Sequence, residues 1–125
     1  MTRKILLVGM VLLLAGIALA KEGKSVKLTG YIIDNACAAG RATGDNATDK
    51  VKNHTVKCAM MPNCAKSGYA VFADNKLYKL DEAGNKKAAE ILKNTKSEKG
   101  VQVSVEGTMD GDTLKVTSIS EMVSS

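Results

Sequence analysis

Residues 69–119 read YAVFADNKLYKLDEAGNKKAAEILKNTKSEKGVQVSVEGTMDGDTLKVTSI, and the succession of patterns within them decides the fold. Tyr69 to Ala73 and Lys76 to Leu80 are short β-prone runs separated by Asp74-Asn75, a two-residue connection that suits a tight hairpin. Residues 81–85 are turn-rich. Asn85 is placed to cap a helix KKAAEILKNTK, whose Ala88, Ile91, Leu92 and Thr95 share one face. Val101 to Met109 then alternates, with Val101, Val103 and Val105 inward and Gln102, Ser104 and Glu106 outward. Asp110-Gly111 is a second hairpin signal, after which the chain returns through Leu114 and Val116. It reaches Ile119 and Met122 after a change of face near Ser118.

Upstream, Ser25 to Asp34 (SVKLTGYIID) is a half-buried strand, with Val26, Leu28 and Ile32 on one face and Lys27, Thr29 and Tyr31 on the other. Gly30 falls on the inward face, where a missing side chain permits a bend or bulge. Ala36 to Asn46 is small, polar and glycine-punctuated, and reads as a loop. Thr48 or Asp49 can cap a helix running to about Met61, and Pro62 suits the first turn of a new one. Gly68 would end that turn in the left-handed conformation.

The fold class expected is therefore mainly β, five strands with one helix between the third and fourth and a helical or loop insertion after the first. That order resembles the oligonucleotide/oligosaccharide-binding fold (OB-fold), a partly open five-stranded barrel. A small antiparallel sandwich or an α+β sheet is the alternative.

The N-terminus reads as an export signal. Arg3 and Lys4 are its positive end, Ile5 to Ile17 its apolar run, and Ala18-Leu19-Ala20 the small-x-small cleavage pattern. The run is shorter than the roughly 20 residues that span a bilayer, so no span remains once residues 1–20 are removed. Residues 21–125 then form a single domain, expected in the periplasm or secreted. The whole chain carries 18 Lys and Arg against 13 Asp and Glu; without Arg3 and Lys4 the balance is 16 against 13, a surplus of +3. It is made almost wholly of lysine and accompanied by only three Tyr and one Phe, a composition that argues against nucleic-acid binding.

Cys37, Cys58 and Cys64 must be read against an oxidising compartment. The preferred expectation is one structural disulfide among them, contributing about 2–4 kcal/mol, with one spare thiol. Three pairings are open, and the spare leaves a disulfide-linked dimer open as well. The alternative is a copper or zinc site. The only histidine, His54, lies four residues before Cys58, and on a helix over residues 49–61 the two would stand one turn apart with Met61 near the same face. Imidazole, thiolate and thioether are ligands for Cu(I) or Zn(II), with Cys64 and Cys37 as further donors. Cys-x2-Cys, Cys-x2-Cys-His, nucleophile-elbow and phosphate-loop motifs are all absent from the sequence. Asp34 reads as a strand-end cap, and Asp110 and Asp112 as turn residues, so no acid/base pair is evident and catalysis is not expected.

The stretches GYIIDNAC (residues 30–37), HTVKCAMMPNCAKSGYAVFADNKLYKL (54–80) and VSVEGTMDGDTLKVTSI (103–119) resemble a group of small exported bacterial proteins that carry a domain of unknown function. The shared features are a Gly-aromatic-Ile-x-Asp-x-x-Cys opening, a paired-cysteine segment before a Gly-aromatic strand, and a closing Gly-Thr-x-x-Gly-Asp-Thr hairpin. Tyr31 holds the aromatic position, while the five residues between Cys58 and Cys64 are a wider spacing than the resemblance leads one to expect. It implies an exported barrel-like domain and assigns no activity. Its bacterial character makes the Asn-x-Thr sequences at Asn46 and Asn53 chance matches to the glycosylation pattern. The function expected is a binding module for a small molecule, glycan or protein, with Tyr31, Phe72 and Tyr78 as candidates to line its open face.

Overall fold

The computed structural model describes residues 24–123, so the expected signal segment lies outside the described residues. The protein is mainly β, built on a five-stranded sheet: β1 (Ser25–Asp34), β2 (Tyr69–Ala73), β3 (Lys76–Leu80), β4 (Gln102–Asp110) and β5 (Thr113–Glu121). Four short helices, α1 (Asn35–Arg41), α2 (Ala47–Lys52), α3 (Val56–Ala59) and α4 (Pro62–Lys66), fill the interval between β1 and β2. A longer one, α5 (Glu82–Asn94), joins β3 to β4.

The strands follow the order β1-β2-β3-β5-β4, and β4 returns to β1, so the sheet closes on itself. All neighbours are antiparallel except β3 and β5, which meet in parallel through Lys79↔Thr113 and Leu80↔Leu114. Closure makes β1 serve two partners. Its first seven residues pair with β4 and its last four with β2, sharing Tyr31. The strand can turn from one to the other because Gly30 has no side chain: a Cβ there would sit 2.3 Å from the Phe72 carbonyl oxygen. The change of face in β5 occurs at Thr117, one residue before the position expected, where the β4 register shifts between Glu106 and Gly107.

Alternation sorts the side chains into two cores. Leu28, Ile32, Tyr69, Val71, Ala73, Val103, Val105 and Leu114 fill the inside, closed by Ala88 and Leu92 of α5. Ile33, Ala70 and Phe72 point from the other face of β1 and β2 into a second cluster with Ala38, Ala47 and Val51 of α1 and α2. The insertion therefore roofs the outer face of β1 and β2, and Phe72, 3% exposed, is not available as a ligand-face residue. Tyr31 packs partly buried against the same cluster, whereas Tyr78 packs against the inner core, so the three rings do not share one open face.

Local boundaries differ from the sequence expectations for identifiable reasons. Residues 35–41 are helical rather than a loop because Asp34 caps them and their alanines favour helix. The helix expected over 49–61 is broken at residues 53–55. Val56 N–H donates to Glu98 O, Gly100 N–H donates to His54 O, and the Thr55 hydroxyl accepts from Cys58 N–H to begin a fresh helix. Asn46, not Thr48 or Asp49, occupies the N-cap of α2. Asp81 caps α5, while Asn85 lies inside it and accepts from the Tyr69 N–H. The last hairpin turns at Gly111-Asp112, one residue later than expected, since Asp110 pairs with Thr113. Pro62 does open α4, and Gly68 beyond it has φ +85°. Met122 is exposed rather than turned into the core.

Candidate metal centre

Asp34 organises the site. It is the last residue of β1, two positions beyond the inward-facing Ile32, and it is fully buried. One carboxylate oxygen, Oδ2, accepts from Cys37 N–H at 3.0 Å, the N-cap bond that starts α1 and sets Cys37 in its first turn. The other, Oδ1, lies 2.7 Å from Nε2 of His54, which is 4% exposed. Burial pushes the Asp34 carboxyl up, but the hydrogen bonds from His54 and from the Cys37 backbone together hold it below its ordinary value. An ionised carboxylate only accepts, so Nε2 carries the proton and donates. His54 Nδ1 is then left buried with no hydrogen-bond partner among the described residues.

Three further anchors bring the cysteines to this end of the sheet. The Thr55 cap places Cys58 in α3, and the buried Tyr69 hydroxyl donates to Ala59 O at 3.0 Å, holding α3 down. Asn35 N–H donates to Gly68 O, Asn35 Nδ2 to Ser67 O, and Ala36 N–H to the Ser67 hydroxyl, tying the end of α4 to the start of α1. Cys64, in α4, is thereby drawn toward Cys37. The Sγ atoms of Cys37, Cys58 and Cys64 all lie within 4.8 Å of one another, and donor atoms of Asp34, Cys37 and His54 form a second such group. Cys37 belongs to both.

The three cysteines carry free thiols, all partly exposed. Cys37 Sγ and Cys58 Sγ are 4.0 Å apart, well beyond the S–S bond length of about 2.05 Å. Two thiolates on one tetrahedral zinc, each about 2.3 Å from the metal, stand roughly 3.8 Å apart, close to the separation seen. No family model, curated protein or solved structure matches this chain. The chemistry of the site therefore rests on its own geometry.

That geometry revises the expected donor set. His54 and Cys58 are not on one helical stripe, because the break at residues 53–55 turns the imidazole to Asp34 instead. Met61, 53% exposed, precedes α4 at the surface, so the helical spacing that recommended it does not exist. Cys37, expected only as an additional donor, is instead common to both groups. Asp34 was legible as a strand-end cap; its burial against His54, twenty residues away, leaves no local trace.

Two of the thiols, Cys37 and Cys64, are held above their ordinary value. Burial first, then the Asp34 carboxylate and Cys58, push the Cys37 thiol up to about 12 from its ordinary 9.0. Burial and Asp34 also push Cys64 up. Between pH about 9 and 12 the unfolded chain gives up a proton that folded Cys37 keeps, so this contribution to stability is full below 9 and lost as pH rises through 12. The urea midpoint of the reduced protein is expected to fall between about pH 8 and pH 10.5, and to fall less in Cys37→Ser. Equal slopes in the two proteins would show that Cys37 is not the group responsible.

Proposed function

We propose that this chain is an exported, OB-fold-like domain whose helical insertion binds one soft metal ion, copper(I) or zinc(II), through Cys37, Cys58 and Cys64. The observation that carries this reading is the mutual approach of the three Sγ atoms to within 4.8 Å. Thiolate sulfur suits both ions, and Cys37–Cys58 at 4.0 Å matches the spacing of ligands around a metal. The buried His54 Nδ1, without a partner among the described residues, adds a polar atom that a bound water or ion could satisfy. Because Asp34 holds His54 at Nε2 and caps the helix bearing Cys37, it acts as a positioning residue, the carboxylate–histidine arrangement that orients metal sites. The OB-fold assignment is supported by the strand order, the closure of the sheet and the place of α5 between β3 and β4.

A second reading is a disulfide-stapled binding domain for a small molecule, glycan or protein. The Cys37–Cys58 approach favours that pair for the bridge and leaves Cys64 as the spare. Equilibrium dialysis of the reduced protein against zinc, and against copper(I) held by a competing chelator, separates the two readings. About one ion retained per chain is expected. Retention of neither ion by fully reduced, folded protein would leave the disulfide reading in its place.

A further inference from the structure

The number of donors and the charge around them narrow the guest. Three sulfurs converge, while the adjacent Asp34 carboxylate is committed to His54 Nε2 and to the cap of α1. The built donor set is therefore three thiols beside a buried carboxylate. Zinc(II) on three thiolates leaves a net charge of −1 next to Asp34, and copper(I) leaves −2, each repelled by that carboxylate in a partly desolvated place. A trivalent centre leaves none.

We propose that the site is best matched to a trivalent thiophilic metalloid, arsenic(III) presented as arsenous acid. This inference rests on the three-sulfur reading above and names the class of ion. The step is a ligand exchange without electron transfer. Three S–H bonds and three As–OH bonds break, three As–S bonds form, and each thiol proton leaves with a hydroxide as water. The product is neutral, so Asp34 opposes it least. Its pyramidal geometry uses three ligands and keeps the arsenic lone pair on the open side, which suits three cysteines that are all partly exposed.

The test titrates the reduced protein with sodium arsenite, zinc and chelator-buffered copper(I), with native mass spectrometry as the readout. The mass should rise by one arsenic less three hydrogens, and arsenite should bind at least about tenfold more tightly than zinc at pH 7. Cys37→Ser, Cys58→Ser and Cys64→Ser should each abolish that three-hydrogen adduct. Arsenic-edge X-ray absorption of the wild type, which needs no variant to fold, should show three sulfur neighbours and no oxygen. Zinc or copper(I) bound through the cysteines with arsenite weaker than zinc would overturn this inference and leave the metal reading standing. Binding of none of the three ions would overturn both. The same three-hydrogen adduct surviving in Cys64→Ser would overturn the three-sulfur assignment.

Discussion

Replacing Asp34 with alanine is expected to lower the free energy of unfolding by about 3–5 kcal/mol, the range found when one partner of a buried pair is removed. Asp34 is completely buried and makes two hydrogen bonds, to His54 Nε2 and to the Cys37 N–H. The alanine variant strands the imidazole, whose Nδ1 is already without a partner among the described residues, and removes the cap of α1. Domains of this kind hold only about 5–15 kcal/mol in total, so thermal unfolding should move down steeply. Asp34→Asn keeps an acceptor for the cap and loses the charge, so a smaller loss of about 1–3 kcal/mol is expected. The sign with pH follows from the Asp34 carboxyl lying below its ordinary 3.8. Its contribution is present above that value and disappears as pH falls through the folded one. The wild type and Asp34→Asn should therefore converge in acid; a gap that is constant with pH would mean the carboxylate charge contributes nothing.

Cys58→Ser is expected to weaken zinc or copper(I) binding by more than about 100-fold, exceeding the 10–100-fold typical of a residue that only orients a ligand. Cys58 Sγ lies 4.0 Å from Cys37 Sγ and completes the three-sulfur group, while serine keeps the size and leaves the Thr55 cap to its backbone N–H intact. The same loss should follow Cys37→Ser and Cys64→Ser. Met60→Leu and Met61→Leu, at exposed positions between the cysteines, should leave affinity within about twofold. Competition against a chromophoric chelator reads all five variants on one scale. A large loss in Met61→Leu would restore the thioether to the donor set, and unchanged affinity in Cys58→Ser would remove the cysteines from it.

The strands were legible in the sequence because alternation is a local signal. Val101, Val103 and Val105, the Asp74-Asn75 turn and the inward Gly30 all read correctly, and the strand–helix–strand order follows from them. The insertion was legible as helical after residue 48 and again at Pro62, but not as four separate helices, since segments of four to seven residues are too short for an apolar period to mark their bounds. What defined them were caps, Asp34 before Cys37 and Thr55 before Cys58, each three residues ahead of the cysteine it places. The cysteine segment was legible as the chemical part of the chain, but not its assembly. The convergence of Cys64 on Cys37 depends on Asn35, Ser67 and Gly68 bonding across more than thirty residues, and that of His54 on Asp34 on pairing with residues 98–100. Such contacts join segments distant in the sequence and leave no local pattern.

Zinc-edge X-ray absorption of the zinc-loaded wild-type protein reads out whether Cys37, Cys58 and Cys64 hold one metal ion at the end of the sheet. Three sulfur neighbours at about 2.3 Å and one lighter atom completing the shell are expected. A shell of nitrogen and oxygen alone, with three thiols still open to alkylation, would contradict it.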